Sequence, residues 1–297
     1  MFKKQFKFYK MEQVLWKINS RYAVVSCFSQ KGSLWVEKMI SPGDMDANWI
    51  NYISNLFREK LLENNVPIVN PYRSYIRDKY SIQVSKYIGP DVEKYFSLNR
   101  GNSKNQFSAI EKIIYAIKNI LTHNSLEVGI DARLSNFCIN GKGEVYYVDT
   151  FPPLIKIDNE YIVHFPNPKD EKIIQAELFR KFHPMGIMRR LRFSILEHSD
   201  EITEKDILLA VSAVLGQSFS ISLEEYFNNL PHNSDNKIVE VIESLETDSI
   251  REVALNKAIN LSAIDKQKLL TDVFELSSSF CPLMISQSER IERLKKC

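Results

Sequence analysis

Glycine is scarce in this chain, with 9 residues in 297. That shortage excludes collagen-like and glycine-repeat architectures. No G-x-G-x-x-G phosphate loop occurs anywhere. Cysteine is sparser still: Cys27, Cys138, Cys281 and Cys297 are the four. None pair as C-x-x-C and none share zinc spacing with a histidine, which excludes a zinc ribbon or finger. Cys27 and Cys138 lie in apolar strand-like runs and read as buried free thiols, which points to a reducing compartment. The histidines, His123, His164, His183, His198 and His232, form no recognisable ligand set. A long apolar run is also missing. The longest, Ile207–Gly216, falls short of the roughly 20 residues a membrane helix needs. The opening "MFKKQFKFYKMEQ" is basic but lacks the apolar core and cleavage site of a secretory signal. Neither sign of charge dominates, with 39 basic and 37 acidic side chains. That balance argues against nucleic acid or an anionic membrane as partner. The expectation is a soluble, cytoplasmic protein.

What is present has a clear order. "QVLWKI", "YAVVSCFS" and "SLWVEKMI" are β-rich runs joined by the tight polar turns "NSR" and "QKG". After "SPGD", residues Asp46–Asn64 carry Trp49, Ile50, Ile53, Leu56, Phe57 and Leu61 at helical spacing, with Asp46 as N-cap. "VPIVNPYRSYIRD" and "KYSIQVSKYI" add two more strands. "GPD" at Gly89–Asp91 then breaks the pattern and marks the best boundary. Beyond it come a short helix in "DVEKYFSLNRG", an amphipathic helix over Phe107–His123, and a hairpin turning at "NGKGE". From Lys169 onward the chain reads helical, with breaks near Pro184–Gly186, His198–Ile202, Pro231–Asn236 and Ala263.

The stretch "VGIDARLSNFCINGKGEVYYVDTFPP" concentrates the chemistry. Asp131 ends an extended run, Asn136 opens the hairpin and Asp149 closes it. Pairing Asn136–Ile139 with Val145–Val148 brings Asn136 and Asp149 to one open end, within reach of one cation. A carboxamide oxygen and a carboxylate suit Mg²⁺, which takes a few protein oxygens and fills its shell with phosphate oxygens and water. Asp131 stands apart as an acceptor for a substrate proton. Phosphoryl transfer needs those parts.

D-x-x-x-x-N followed by a later Asp resembles the catalytic loop and metal-binding motif of the protein-kinase-like superfamily. That group includes the aminoglycoside and choline phosphotransferases. The resemblance covers roughly residues 13 to 155. It implies an α+β fold of two lobes: a small five-stranded antiparallel sheet lobe with one helix (residues 1–88), and a larger, mainly helical lobe (89–297) with the catalytic loop and acceptor site. It also implies roles. Asp131 matches the catalytic Asp, while Asn136 and Asp149 match the metal ligands. Arg133 stands where many protein kinases carry a phosphate-contacting lysine. Lys38 would grip the phosphates of ATP, with Glu59 as its helix partner and Glu63 in reserve. Ser20 would lie in the loop over the phosphates. Tyr87 and Ile88 open the hinge where the adenine would rest. The implied cofactors are ATP and Mg²⁺, and the implied partner is a small polar acceptor bearing a hydroxyl.

The departures from the family are specific. "KINSRYAV" has no glycine, and Gly129-Ile130 replaces His-Arg before Asp131. Asp149-Thr150-Phe151 replaces Asp-Phe-Gly, and Pro152-Pro153 stiffens the chain beyond it. A site without the glycine hinge favours a metabolite kinase over a regulated protein kinase. An atypical protein kinase and a catalytically inactive nucleotide-binding scaffold are the alternatives. The basic cluster Arg180, Lys181, Arg189, Arg190 and Arg192 reads as a solvated face or a set of structural ion pairs rather than an anion site.

Overall fold

Five runs near the N-terminus pair into one antiparallel sheet: β1 (Gln13–Asn19), β2 (Ala23–Gln30), β3 (Ser33–Ile40), β4 (Tyr72–Arg77) and β5 (Tyr80–Lys86). Their spatial order is β1-β2-β3-β5-β4. The β2–β3 turn holds Lys31 and Gly32 at φ 50° and 71°. Two positive φ values in succession match the twist of the flanking strands. The computed structural model describes residues 13–19, 23–41, 46–70, 72–122, 127–157, 160–162 and 178–228. Ser20, the breaks expected near Pro231–Asn236 and Ala263, and Cys281 and Cys297 lie outside them.

Helix α1 (Ala47–Glu63) follows β3, and its cap is the expected one: Asp46 accepts from Asn48 N at 2.8 Å. Its apolar stripe, Ile50, Ile53, Phe57 and Leu61, is fully buried. Each of those side chains contributes about 1.5–3 kcal/mol by leaving water.

Helices dominate the C-terminal part: α2 (Val92–Leu98), α3 (Ser103–Ala116), α4 (Lys118–Thr122), α5 (Pro184–His198), α6 (Glu204–Leu215) and α7 (Gln217–Asn228). The single amphipathic helix expected over Phe107–His123 starts earlier, under an Asn102 cap, and divides at Ile117. The break expected near Pro184–Gly186 is present at His183, between a helical segment at 178–182 and the start of α5. Pro184 occupies the first turn, where its missing N–H costs nothing, and His183 Nδ1 accepts from Met185 N at 3.2 Å. The break at His198–Ile202 is present, and Thr203 opens α6 with a capping box to Asp206.

Two ribbons complete the fold: β6 (Phe137–Ile139) with β7 (Val145–Tyr147), and β8 (Ile155–Ile157) with β9 (Glu160–Ile162). The first ribbon joins the sheet part to the helices. Tyr147 N donates to Pro67 O at 2.8 Å, and Ile139 N donates to Pro90 O at 3.0 Å. Gly89 lies so close to this ribbon that a Cβ there would sit 2.0 Å from Ile139 O. One cluster of buried apolar side chains runs from Ile40 and Phe57 through Ile68 to Ile113, Leu191 and Phe227.

Candidate active site

The polypeptide reaches Asp131 through a tightly held approach. Gly129 N donates to Leu154 O at 2.8 Å and Ile130 N to Lys181 O at 2.7 Å. A Cβ at position 129 would meet Lys181 O at 2.7 Å, so glycine is required by proximity. Beyond Asp131 a single 3₁₀ turn, Leu134–Asn136, leads into β6. Leu134 N donates to Ser194 Oγ on α5 at 2.9 Å, which pins that turn to the helix.

Asn136 is tied to the backbone of Asp131, the residue expected to stand apart on the preceding loop. Asn136 Nδ2 donates to the Asp131 carbonyl at 3.0 Å. That bond commits the amide nitrogen to the protein and leaves Oδ1 as the atom to face a cation. Val148 N donates to Asn136 O at 2.9 Å, so the hairpin closes where expected and sets Asp149 one residue beyond. A carboxamide oxygen and a carboxylate at one ribbon end fit a hard cation completed by phosphate oxygens and water. Among the described residues, no group of three or more His, Cys, Asp or Glu side chains forms a self-sufficient metal site.

Asp131 sits in a basic surround. Its Oδ2 is 3.3 Å from Arg133 Nε and its Oδ1 is 3.6 Å from Arg190 Nε. Burial works to raise the carboxyl pKa. The charges of Arg133, Arg190, Arg180 and Lys181 outweigh it and hold the group well below the usual carboxylate range. Among the described residues, the buried Oδ1 receives no hydrogen bond. Tyr147, buried beneath, is pushed well above the ordinary phenol value by burial and by the charges of Asp149 and Asp131.

The basic cluster therefore departs from a solvated face. Arg180, Arg189 and Arg192 are buried, and Arg180, Lys181 and Arg190 act on Asp131. Arg192 forms a structural ion pair with Glu204 at the start of α6, as Arg190 does with Asp131. No signal within the helix sequence itself announces Asp131, so much earlier in the chain, as a partner.

Across the site, Lys38 Nζ donates to Asp149 Oδ1 at 2.7 Å and to Phe151 O at 3.0 Å. Both side chains are mostly buried, at 18% and 23% exposure, so this pair is worth more than a surface one. Glu59, the expected partner of Lys38, is instead exposed on α1, and no ion pair joins the two among the described residues. The reason lies one residue earlier. Arg58 turns inward, stacks 3.6 Å over the Tyr72 ring and donates to Val69 O at 3.2 Å, which rotates Glu59 outward. Glu63, the reserve, pairs with Lys60. Tyr87 and Ile88 are half-buried, and Tyr87 N donates to Leu34 O at 3.0 Å, extending the line of β5 beside β3. Of the two thiols, Cys27 is buried and Cys138 half-buried, both unbridged.

A scan against protein-family models and a search of curated proteins return no match for this chain.

Proposed function

We propose that this protein is an ATP-dependent phosphotransferase of the kinase-like type, acting on a hydroxyl of a small polar molecule. The observation that carries the reading is the meeting of Lys38, from the sheet, with the segment that holds Asp131, Asn136 and Asp149. Lys38 on the sheet reaches Asp149, while Asn136 at the same end of the ribbon holds the Asp131 loop. Bound Mg²⁺–ATP would supply the phosphoryl group and the charge that offsets its negative build-up. Asn136 and Asp149 would hold the cation, and Lys38 the phosphates.

Asp131 has the part of orienting the acceptor. Its Oδ1 is buried against Arg190 while the side chain keeps 15% exposure, so a substrate hydroxyl would donate to the exposed edge of the carboxylate. The cations around it make it a weak base. A loose phosphoryl-transfer transition state asks little of a base until late, so orientation is the larger contribution. The acceptor oxygen forms the new O–P bond, the bridging oxygen leaves with ADP, and the hydroxyl proton passes to Asp131. An antibiotic, a sugar, an amino alcohol or a natural-product intermediate fits this chemistry.

The test is transfer of labelled γ-phosphate to a panel of hydroxylated metabolites. Asp131→Asn should lower turnover about 10²–10⁴-fold. Equal turnover in the variant would remove Asp131 from the mechanism. Label that appears in protein rather than in metabolites, in a cell lysate, would favour a protein acceptor.

A second reading has its own observation. Two guanidinium groups contact Asp131, and Lys38 has no helix carboxylate as partner among the described residues. That arrangement also suits a nucleotide-binding scaffold without turnover. Such a scaffold would be stabilised by Mg²⁺–ATP, by about 2.7 kcal/mol at a hundredfold excess over Kd, and would transfer phosphate to nothing.

A further inference from the structure

Two contacts run side by side from the sheet to residues 149–151. The first is Lys38 on β3, bonded to Asp149 and to the Phe151 carbonyl. The second starts from Gln83 on β5, the register partner of Lys38. Gln83 Oε1 accepts from Thr150 Oγ1 at 3.0 Å. Directly opposed residues of an antiparallel pair project to one face, so neighbouring side chains grip three consecutive residues.

The second contact is deeply buried, with Gln83 at 4% and Thr150 at 3% exposure. Leucine and valine would fill the same space without polar atoms. The glutamine is also incompletely satisfied, because its Nε2 is buried without a hydrogen bond among the described residues. A pair kept at a cost in stability is better explained by what it positions than by what it fills. The side of α1 that meets the sheet brings no carboxylate to do that work. Asn55 bonds with Ser74 at 2.9 Å and Asn51 with Ser81 at 3.5 Å, all neutral groups.

From this geometry we infer that Gln83 and Thr150 form a neutral latch that fixes the backbone at position 150 and so aims Asp149 at Lys38. They are positioning residues for the phosphotransfer site proposed above, and their catalytic relevance rests on that reading. The latch itself is neutral, and the Tyr72 phenol that faces Thr150 is pushed up to about 12 by burial.

The experiment uses the full chain and reads Lys38 directly. Lysine acylation under limiting reagent is followed by mass spectrometry, with the exposed Lys86 as internal reference. Thr150→Val removes the hydroxyl at nearly constant shape and should make Lys38 react several-fold faster relative to Lys86. Thr150→Ser should restore protection. The double variant Gln83→Leu with Thr150→Val removes both partners of the bond, leaving the Tyr72 hydroxyl without its Thr150 neighbour, and should still expose Lys38. Unchanged Lys38 protection in both Val-containing variants overturns the latch, whatever the activity. In turnover assays the same variants should raise the KM for Mg²⁺ and lower kcat. Wild-type values in the double variant also overturn the positioning role. A wild-type protein that never turns over Mg²⁺–ATP refutes the phosphotransfer reading, and the acylation comparison then decides the latch alone.

Discussion

Replacing Gly129 by alanine tests how rigidly the chain leading to Asp131 is held. The added methyl would lie 2.7 Å from Lys181 O and 3.1 Å from both Leu154 Cβ and Phe182 Cδ1. Ordinary contact begins near 3.4 Å, so relief requires a shift of about 0.7 Å (3.4 − 2.7) against backbone, not against a flexible tip. The two hydrogen bonds that frame the position, Gly129 N to Leu154 O and Ile130 N to Lys181 O, stand directly in that path. Overpacking of this kind costs about 1–3 kcal/mol. The matched control is Gly141→Ala in the β6–β7 turn, where a Cβ meets nothing within 4 Å. There the change should be neutral or stabilise by about 0.4–1 kcal/mol, by restricting the unfolded chain. Urea denaturation of the two variants against wild type measures both numbers. The displaced loop also carries Asp131, and a misplacement near 1 Å can cost about 10²-fold in rate. The reasoning fails if Gly129→Ala and Gly141→Ala unfold at the same urea concentration.

Glu59→Gln should leave stability within about 0.5 kcal/mol of wild type and leave phosphotransfer unchanged, because the side chain is exposed and away from Lys38; a large loss of turnover would restore its pairing role. Burial lowers the His183 pKa below its ordinary 6.5, so the unfolded chain binds the proton first and stability falls as pH drops through that value. His183→Asn, which caps α5 without titrating, should flatten the pH 5–7 portion of a thermal-melt profile relative to wild type. Asp131 acts in the same direction but at lower pH: its carboxyl is depressed, so its stabilisation is intact above the unfolded value of 3.8 and is lost only below it. Acid melts of Asp131→Asn and wild type should therefore differ by a constant between pH 5 and 7.

Much of the sheet part is legible in the residues. The strands alternate and are punctuated by turns, and α1 declares itself by Asp46 and by the spacing of Ile50, Ile53, Phe57 and Leu61. The β6–β7 hairpin is equally plain, since Asn140, Gly141 and Gly143 leave it little choice. The second ribbon, β8–β9, has strands of only three residues each, too short for the alternation in "IKIDNEYI" to stand out from the loop around it. What the sequence conceals is direction. Arg58-Glu59-Lys60 looks like a solvated triplet, and only the aromatic face of Tyr72 draws Arg58 inward. Arg180 and Arg190 likewise act on a carboxylate some fifty to sixty residues earlier, which periodicity within a helix cannot reveal. Gln83 and Thr150 carry no local signal, because their bond depends on the docking of one segment on another.

The β6–β7 ribbon holds the sheet part at two places, through Pro67 and Pro90. Two fixed points define an axle. A rigid movement of the sheet that spares both bonds can only be a rotation about the line through them. Besides the apolar cluster shared by the sheet part and the helices, Lys38 with Asp149 and Gln83 with Thr150 resist such a turn. Admission of a ligand between sheet and helices would thus be governed by how readily those two clasps release, and the chain between β5 and α2 would act as a bearing rather than a spring.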